Sequence, residues 1–361
     1  MSESKHLKYF KVENFKSFDS FEMDDIGQFN LIAGDNNVGK TTILESLLFN
    51  ENADIFFGGL GFAIECRNST FTDKVQWSNV FASFLNARGM STEIGIAFLM
   101  GDEKSAKKYR YGFKKVEQLS PIELSVIRDK KPFLMSTLSS KASLFMQYDE
   151  YGKLLDVVEG DHDTIHDVYP IIPNGLLYHT DLIDYYSEIQ ESYLSKSTLI
   201  NQMLCVIPEL IDIEVVSSKL VVEEQSLSVR LNNVDKLIPL SNLGDGSIKL
   251  LRILCEILMA KNNRLMIDEI DTGIHFSRFK HYLKTIIKSA SVNNVQLFAT
   301  THSLECMKYF KDALEDDDMI EFRKDARYFK IEKQNDTKIK AFTYSFDQFE
   351  YALNIGNEIR G

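Results

Sequence analysis

The chain has 361 residues, with 41 basic and 53 acidic side chains and a formal net charge of −12. That length is one large or two ordinary domains. A composition of 44% hydrophobic and 26% charged residues excludes wholesale disorder. The apolar runs fall well short of the roughly 18 residues a membrane span needs, and Met1 to Lys8 holds no apolar stretch of the secretory-signal kind. Cys66, Cys205, Cys255 and Cys306 stand far apart, so reduced thiols in a cytoplasmic protein are expected, not a disulfide framework or a zinc site. The acidic balance counts against a broad nucleic-acid surface while leaving room for a local basic groove.

In chain order, Tyr9 to Val12 and Phe21 to Met23 alternate as two short strands around the polar link Asn14-Phe15-Lys16-Ser17. A third apolar run, Phe29 to Ala33, ends at Gly34. From Lys40 the period changes, and Ile43, Leu44, Leu47 and Leu48 share a helical face. Residues 50–90 carry loop-like glycines at Gly58, Gly59 and Gly61. Hairpin strands are expected at 93–100, 109–116, 143–148 and 154–158, then helix between about 175 and 210, then strands again over 211–240. Residues 248–259 read as a long apolar helix, 265–267 as a buried strand, Phe279 to Ile287 as an amphipathic helix and 295–299 as another strand. The acidic run 315–318 reads as a solvated loop; a hairpin over 328–344 and a final helix through 351–355 follow.

Strands alternating with helices at both ends predict an α/β fold, a mostly parallel sheet flanked by helices with an N-terminal antiparallel β-subdomain. Residues 1–50 and 240–361 are expected to form one discontinuous core. Residues 51–239 are expected to be an inserted β-rich and helical lobe that completes the antiparallel subdomain and offers a dimer or partner surface.

Gly34-Asp35-Asn36-Asn37-Val38-Gly39-Lys40-Thr41 fits the phosphate-loop pattern G-x-x-x-x-G-K-[ST] without a mismatch. Its glycines let successive backbone N–H groups point at phosphate oxygens, and the helix opened by Thr41 and Thr42 adds its positive end. Lys40 would supply a point charge to the β- and γ-phosphates, and the Thr41 hydroxyl a ligand for Mg2+. The bland alternative is an incidental glycine turn; the strand before the loop and the helix after it argue against that.

Leu265-Met266-Ile267-Asp268-Glu269 is an apolar strand ending in two acids. Asp268 would hold Mg2+ through water, and Glu269 would polarise the attacking water as general base. Ala299-Thr300-Thr301-His302-Ser303 is again a strand followed by a polar turn, from which His302 would reach the γ-phosphate; a plain surface histidine is the alternative. Lys40 and Asp268 are 228 residues apart, far more than one βαβ crossover needs. That spacing, without an Asn-Lys-x-Asp guanine motif, points to the ABC-type ATPases.

On these residues the chain resembles the ABC-type ATPases of the RecF/SMC/OLD group, and within it the AAA15-type ATPases of bacterial defence and abortive-infection loci. The resemblance is carried by Asn14-Phe15-Lys16-Ser17-Phe18, the phosphate loop, Trp77-Ser78-Asn79-Val80-Phe81, Leu243-Gly244-Asp245-Gly246-Ser247, Asp268-Glu269-Ile270-Asp271-Thr272-Gly273-Ile274-His275, Thr301-His302-Ser303 and Glu358-Ile359-Arg360. It implies ATP and Mg2+, and a head-to-head dimer in which Gly244, Asp245, Gly246 and Ser247 touch the γ-phosphate bound by the opposite subunit. Gly244 stands where transporter ATPases carry serine, so that contact is expected from backbone amides and Ser247. Asp271 matches the dimer-facing loop, Lys16 matches a basic residue that neighbours the nucleotide, and His275 is expected to pack or cap locally.

The resemblance further implies a homodimer or higher homo-oligomer that controls a separately encoded effector, such as a nuclease, in anti-phage defence, away from any membrane. Two other functions fit the same motifs. One is a RecF- or SMC-like DNA-repair clamp, which the −12 charge counts against. The other is a nucleotide-gated scaffold without turnover, which the intact Glu269 counts against. Only 59 residues follow His302, fewer than a nuclease domain with its own core needs, so a partner is expected to do any cutting. His162 and His166 stand four apart among carboxylates but in a polar stretch after Gly160, and no metal site is read there.

Overall fold

The computed structural model describes residues 6–49, 93–101, 103–115, 122–128, 131–138, 143–148, 154–160, 171–172, 180–217, 225–335 and 338–355. Period-two burial builds the first sheet. Strand β1 (Leu7–Phe15) buries Leu7, Phe10, Val12 and Phe15, and β2 (Phe18–Met23) buries Phe18, Phe21 and Met23. The two pair antiparallel across a tight turn in which Lys16 takes the left-handed conformation, φ 51°. The next strand, β3 (Phe29–Gly34), leaves this sheet. It is β4 (Glu93–Met100) that pairs with the other side of β1. Beyond it lie β5 (Lys107–Lys115), β6 (Ile122–Arg128), β7 (Lys131–Leu138), β8 (Ser143–Tyr148) and β9 (Leu154–Gly160), all antiparallel, in the order β2-β1-β4-β5-β6-β7-β8-β9.

Strand β3 is buried along its whole length, as a central parallel strand must be. It lies between β15 (Gln296–Thr301) and β16 (Ala326–Lys333), with β14 (Arg264–Ile267) beyond β15. β10 (Ile171–Ile172) and β17 (Ile339–Ser345) form the edges; only β17, folding back on β16, is antiparallel to its neighbour.

Two hydrophobic clusters cover the faces of this sheet. On one face, Ile32, Met266, Phe298 and Phe329 pack with Ile43, Leu44, Leu47 and Leu48 in and just after α1 (Lys40–Ser46), which is held against the antiparallel sheet by Phe10, Val12 and Phe98. On the other, Leu31, Ala33, Leu265 and Leu297 pack in one cluster with six helices: α2 (Thr180–Gln190), α3 (Tyr193–Met203), α4 (Asp245–Met259), α5 (Phe276–Val292), α6 (Leu304–Glu315) and α7 (Phe346–Asn354). A small antiparallel sheet of β11 (Leu210–Ser217), β12 (Gln225–Leu231) and β13 (Ile238–Pro239) joins that cluster through Ile213, Leu227 and Val229. α7 (Phe346–Asn354) closes the chain behind a Ser345–Gln348 capping box. The interior helix is α4, buried at every residue from Gly246 to Ile257, including the ion pair Arg252–Glu256 at 2.6 Å.

Several elements differ from the sequence expectation. Strands β6 and β7 were not expected; Pro132 and a register shift between Val126 and Ile127 break their alternation. Helix α4 starts at Asp245, so Gly246 and Ser247 belong to its first turn. Leu182, Tyr186, Leu199, Ile213 and Val229 share a core with Leu254 and Ile286. The segments around Trp77, His162 and Arg360 lie outside the described residues.

The acidic run is also not a free loop. Lys280, Lys284 and Lys288 recur every four residues on α5 and meet Asp316 and Asp318, with Lys280–Asp316 at 2.7 Å and Lys284–Asp318 at 2.6 Å. These lysines hold both carboxyls below the ordinary aspartate value of 3.8. Groups with depressed folded values stabilise above the unfolded value and lose that contribution as pH falls through the folded one. The double variant Asp316→Asn/Asp318→Asn should therefore melt below wild type at pH 7, and the gap in Tm should close as the pH is taken from 3.8 downward. Thermal melts of both proteins across that range check it; a gap independent of pH would contradict the ion-pair account.

Candidate active site

Strand register brings the site together. Ile267 lies opposite Ala299 and Thr300 opposite Ile32, so the carboxyl ends of β14, β15 and β3 stop level with one another. Ligands of open α/β sheets bind at such ends. Asp268, the first residue past β14, is thereby set beside Thr300, whose hydroxyl donates to Asp268 Oδ1 at 2.6 Å. The Thr41 hydroxyl, one residue into α1, donates to Asp268 Oδ2 at 2.9 Å. One carboxylate thus ties the ends of β14 and β15 to the start of α1.

The phosphate loop turns through Asn37 at φ 65° and Gly39 at φ 94°, both in the left-handed region. A Cβ at Gly39 would also stand 2.8 Å from the Phe18 ring, so the antiparallel sheet presses directly on the loop. Asp35, Asn36 and Asn37 are exposed, whereas Val38 packs into the core below and offers only its backbone. Thr42, in the first turn of α1, is half-buried. Lys40 is buried, its ammonium donating to the carbonyls of Gly34 and Asp35, both at 2.8 Å. Burial lowers its pKa, opposed by the charges of Asp268, Glu269, Asp35 and Asp271.

Glu269 adopts a left-handed backbone, φ 46°, which turns it out of the strand direction. Its N–H donates to Thr300 Oγ1 at 2.8 Å, and its carbonyl accepts from the Thr272 N–H at 3.0 Å and from the Lys249 ammonium. The Thr272 hydroxyl donates to Glu269 Oε2 at 3.2 Å, and His302 Nδ1 stands 3.7 Å from Oε1, outside hydrogen-bond distance. Lys249 is completely buried; desolvation pushes its ammonium down to about 8 against the pull of Asp271, Asp268 and Glu269. Asp271 accepts from the Thr301 hydroxyl at 2.9 Å.

Lys40, Thr41, Asp268, Glu269, Asp271 and His302 are therefore neighbours. Lys16 reaches α1, paired with its buried Glu45 at 2.6 Å. Gly244 and Asp245 are exposed at the start of α4, while Gly246 and Ser247 are buried; the Ser247 hydroxyl donates to Leu243 O at 3.3 Å. A Cβ at Gly246 would stand 2.4 Å from Gly273 O, so glycine is what lets α4 close on the segment after Glu269. His275 caps α5, its Nδ1 accepting from the Ser277 N–H. Thr300 and Thr272 were quoted within motifs without a role of their own and Lys249 was not singled out, although a lysine inside an otherwise apolar helical run was a signal.

The Thr41 and Asp268 oxygens are the hard donors Mg2+ takes, and the site fits that ion. Among the described residues no group of three or more His, Cys, Asp or Glu could hold a metal. An ion completed by substrate phosphates needs none. No helix among the described residues is long and apolar enough to cross a membrane.

Two family models match the chain: AAA_21, "AAA domain, putative AbiEii toxin, Type IV TA system", over residues 76–308, and AAA_15, "AAA ATPase domain", over 6–143. The chain belongs to the AAA_21 family. An ATP/GTP phosphatase of Helicobacter pylori is 26% identical over 94% of this chain and 96% of its own length. The DNA replication and repair protein RecF of Clostridium acetobutylicum is 24% identical over 42% of this chain and 44% of its own. Among solved structures, an SMC head bound to the C-terminal winged-helix domain of ScpA shares the fold with TM-score 0.52, 12% identity, and 97% and 99% coverage of the two chains. An SMC head bound to the C-terminal domain of ScpA derived from Pyrococcus furiosus gives 0.50, 10%, and 99% and 100%. The chain is an ATPase of the AAA_21 family with the fold of the SMC heads.

Lys40→Ala removes the one ammonium on the phosphate loop and should weaken nucleotide binding at least about 100-fold, the scale of a lost buried charge contact. Titration with a fluorescent ATP analogue reads it; wild-type affinity would take Lys40 out of the site.

Proposed function

We propose that the chain binds Mg-ATP at the phosphate loop and hydrolyses it slowly as a switch, in homodimers or higher homo-oligomers that sandwich the nucleotide. The observation that carries this reading is the continuous path Thr41–Asp268–Thr300–Glu269, which fixes the loop hydroxyl and the base on one carboxylate and one hydroxyl. Lys40 exchanges the carbonyls of Gly34 and Asp35 for phosphate oxygens, and the N-terminus of α1 adds its backbone N–H groups. Thr41 and Asp268 would hold Mg2+, which would supply positive charge against the phosphate oxygens. Glu269 accepts a proton from the attacking water, and His302 donates to the γ-phosphate from the neighbouring strand end. Lys16, turned toward α1, adds positive charge beside the nucleotide.

Gly244 and Asp245 are exposed at the N-terminus of α4, where backbone amides attract anions; in the dimer Gly244, Asp245, Gly246 and Ser247 face the γ-phosphate of the other subunit, and Asp271 lines the same interface. Residues 51–239 contribute to the dimer and partner surface. The AAA_21 description names a toxin of a toxin–antitoxin system, and the SMC heads of similar fold are bound to ScpA, a protein partner. A toxin–antitoxin role and a bound protein partner both favour a regulatory ATPase, and the reading places this one in the cytoplasm, controlling a separately encoded effector, such as a nuclease, in anti-phage defence.

Glu269→Gln should bind ATP at near wild-type affinity and split it about 100-fold more slowly or worse, the usual contribution of a general base. It should accumulate as an ATP-bound dimer. Phosphate release and light scattering, with and without Mg-ATP, measure both; a variant whose association state ignores ATP would contradict the sandwich.

A further inference from the structure

A lysine buried in the apolar interior costs free energy unless its ammonium is used. Lys249 lies in the second turn of α4, wholly out of solvent, among residues that are otherwise largely aliphatic. Its Nζ donates to the carbonyl of Glu269 and stands 3.4 Å from that of Asp268. Both acceptors are backbone atoms of the turn that carries the general base.

That turn is strained, since Glu269 is a non-glycine residue at φ 46°. Thr300 holds the N–H of Glu269 from β15 and Thr272 holds its carbonyl from the following turn. Lys249 is the third hold, and it comes from a different element. Helix α4 is the one that begins with Gly244–Ser247, and its Gly246 sits against Gly273 O on the same segment. A displacement of α4 therefore reaches the backbone of Glu269 by two routes, steric at Gly246 and hydrogen-bonded at Lys249.

We infer that Lys249 is a positioning residue for hydrolysis: by holding the Glu269 carbonyl it fixes the left-handed turn that aims the carboxylate, and it makes α4 and the base move as one body. The inference rests on the ATPase reading above. Lys249 touches neither water nor phosphate; it acts through Glu269.

The effect falls on kcat and leaves binding alone. Misplacing a reacting group by about 1 Å costs on the order of 100-fold in rate. Lys249→Met keeps the length of the side chain and removes the charge and donors. It should bind the fluorescent ATP analogue within about threefold of wild type and keep its KM, while kcat falls about 10- to 100-fold. Lys249→Arg keeps the charge and donors but moves them, and should recover part of the loss. Added to Glu269→Gln, Lys249→Met should cost nothing further in single-turnover hydrolysis, because groups that act as a unit are not additive.

Wild-type kcat in Lys249→Met, a loss confined to KM, or a full additional loss on top of Glu269→Gln would each overturn the inference while leaving the ATPase reading intact. A wild-type chain that binds Mg-ATP without turning it over would remove the reading and the inference together. Should Lys249→Met fail to fold, Lys249→Leu carries the test through the same split of kcat from KM, and unchanged kcat there overturns it.

Discussion

The Asp268 carboxylate is the constraint on which the rest of the site depends. It accepts the Thr41 hydroxyl on one oxygen and the Thr300 hydroxyl on the other, at 2.9 and 2.6 Å. Hydrogen bonds to an ionised group are among the strong ones, and both oxygens are used, so the carboxylate has little rotational freedom left. Since its partners come from α1 and β15, its position is set by the order β14-β15-β3 and by the register among those strands. A slip of one residue in either pairing would turn every side chain to the opposite face, swapping the faces that bury Leu31 and Ile32. The core and the site are specified by the same register.

Around that point the fold accepts local costs. Asn37 and Glu269 sit in the left-handed region without being glycine, at φ 65° and 46°. Each is a departure of roughly 1 kcal/mol or more that persists only when neighbours over-determine it. At Glu269 those neighbours are Thr300, Thr272 and Lys249, contributed by a strand, a turn and a helix. Gly246 serves the same end differently: with no Cβ it lets the start of α4 approach the carbonyl of Gly273. Loops, strand ends and the interior helix are packed so that none can shift alone.

Much of this was legible in the sequence, because the chemistry is written in contiguous motifs. The phosphate loop, the Asp268-Glu269 strand end and the Thr301-His302 turn each sit in a short run whose residue types have a mechanical reason. The parallel core strands were legible too, since Leu265 to Ile267 and Phe29 to Ala33 are apolar at successive positions, as burial on both faces requires. What escaped depends on distant partners. Thr300 looks like any strand threonine until register places it opposite Ile32 and beside Asp268. The acids at 316 and 318 look solvated until α5 sets Lys280, Lys284 and Lys288 against them. α2, α3 and the β11–β12 sheet read locally as part of an insertion, and that their apolar faces pack in one cluster with α4 and α5 was not visible from their own sequence.

The balance of charge explains why the site needs both of its buried lysines. Asp268, Glu269 and Asp271 stand within electrostatic reach of Lys40 and Lys249, so the group carries three acids against two bases even before a polyphosphate arrives. In a partly desolvated site the effective dielectric is low, and a phosphate chain would be repelled by that excess. The attraction must then come from directed groups, the N–H array of the loop around Gly39 and the Lys40 ammonium, with a divalent cation between Asp268 and the phosphates. Lys249 faces backbone carbonyls and has no line to the substrate, so it offsets the acids without competing for phosphate. Two buried lysines are thereby divided between two tasks, Lys40 for binding and Lys249 for the geometry of the base.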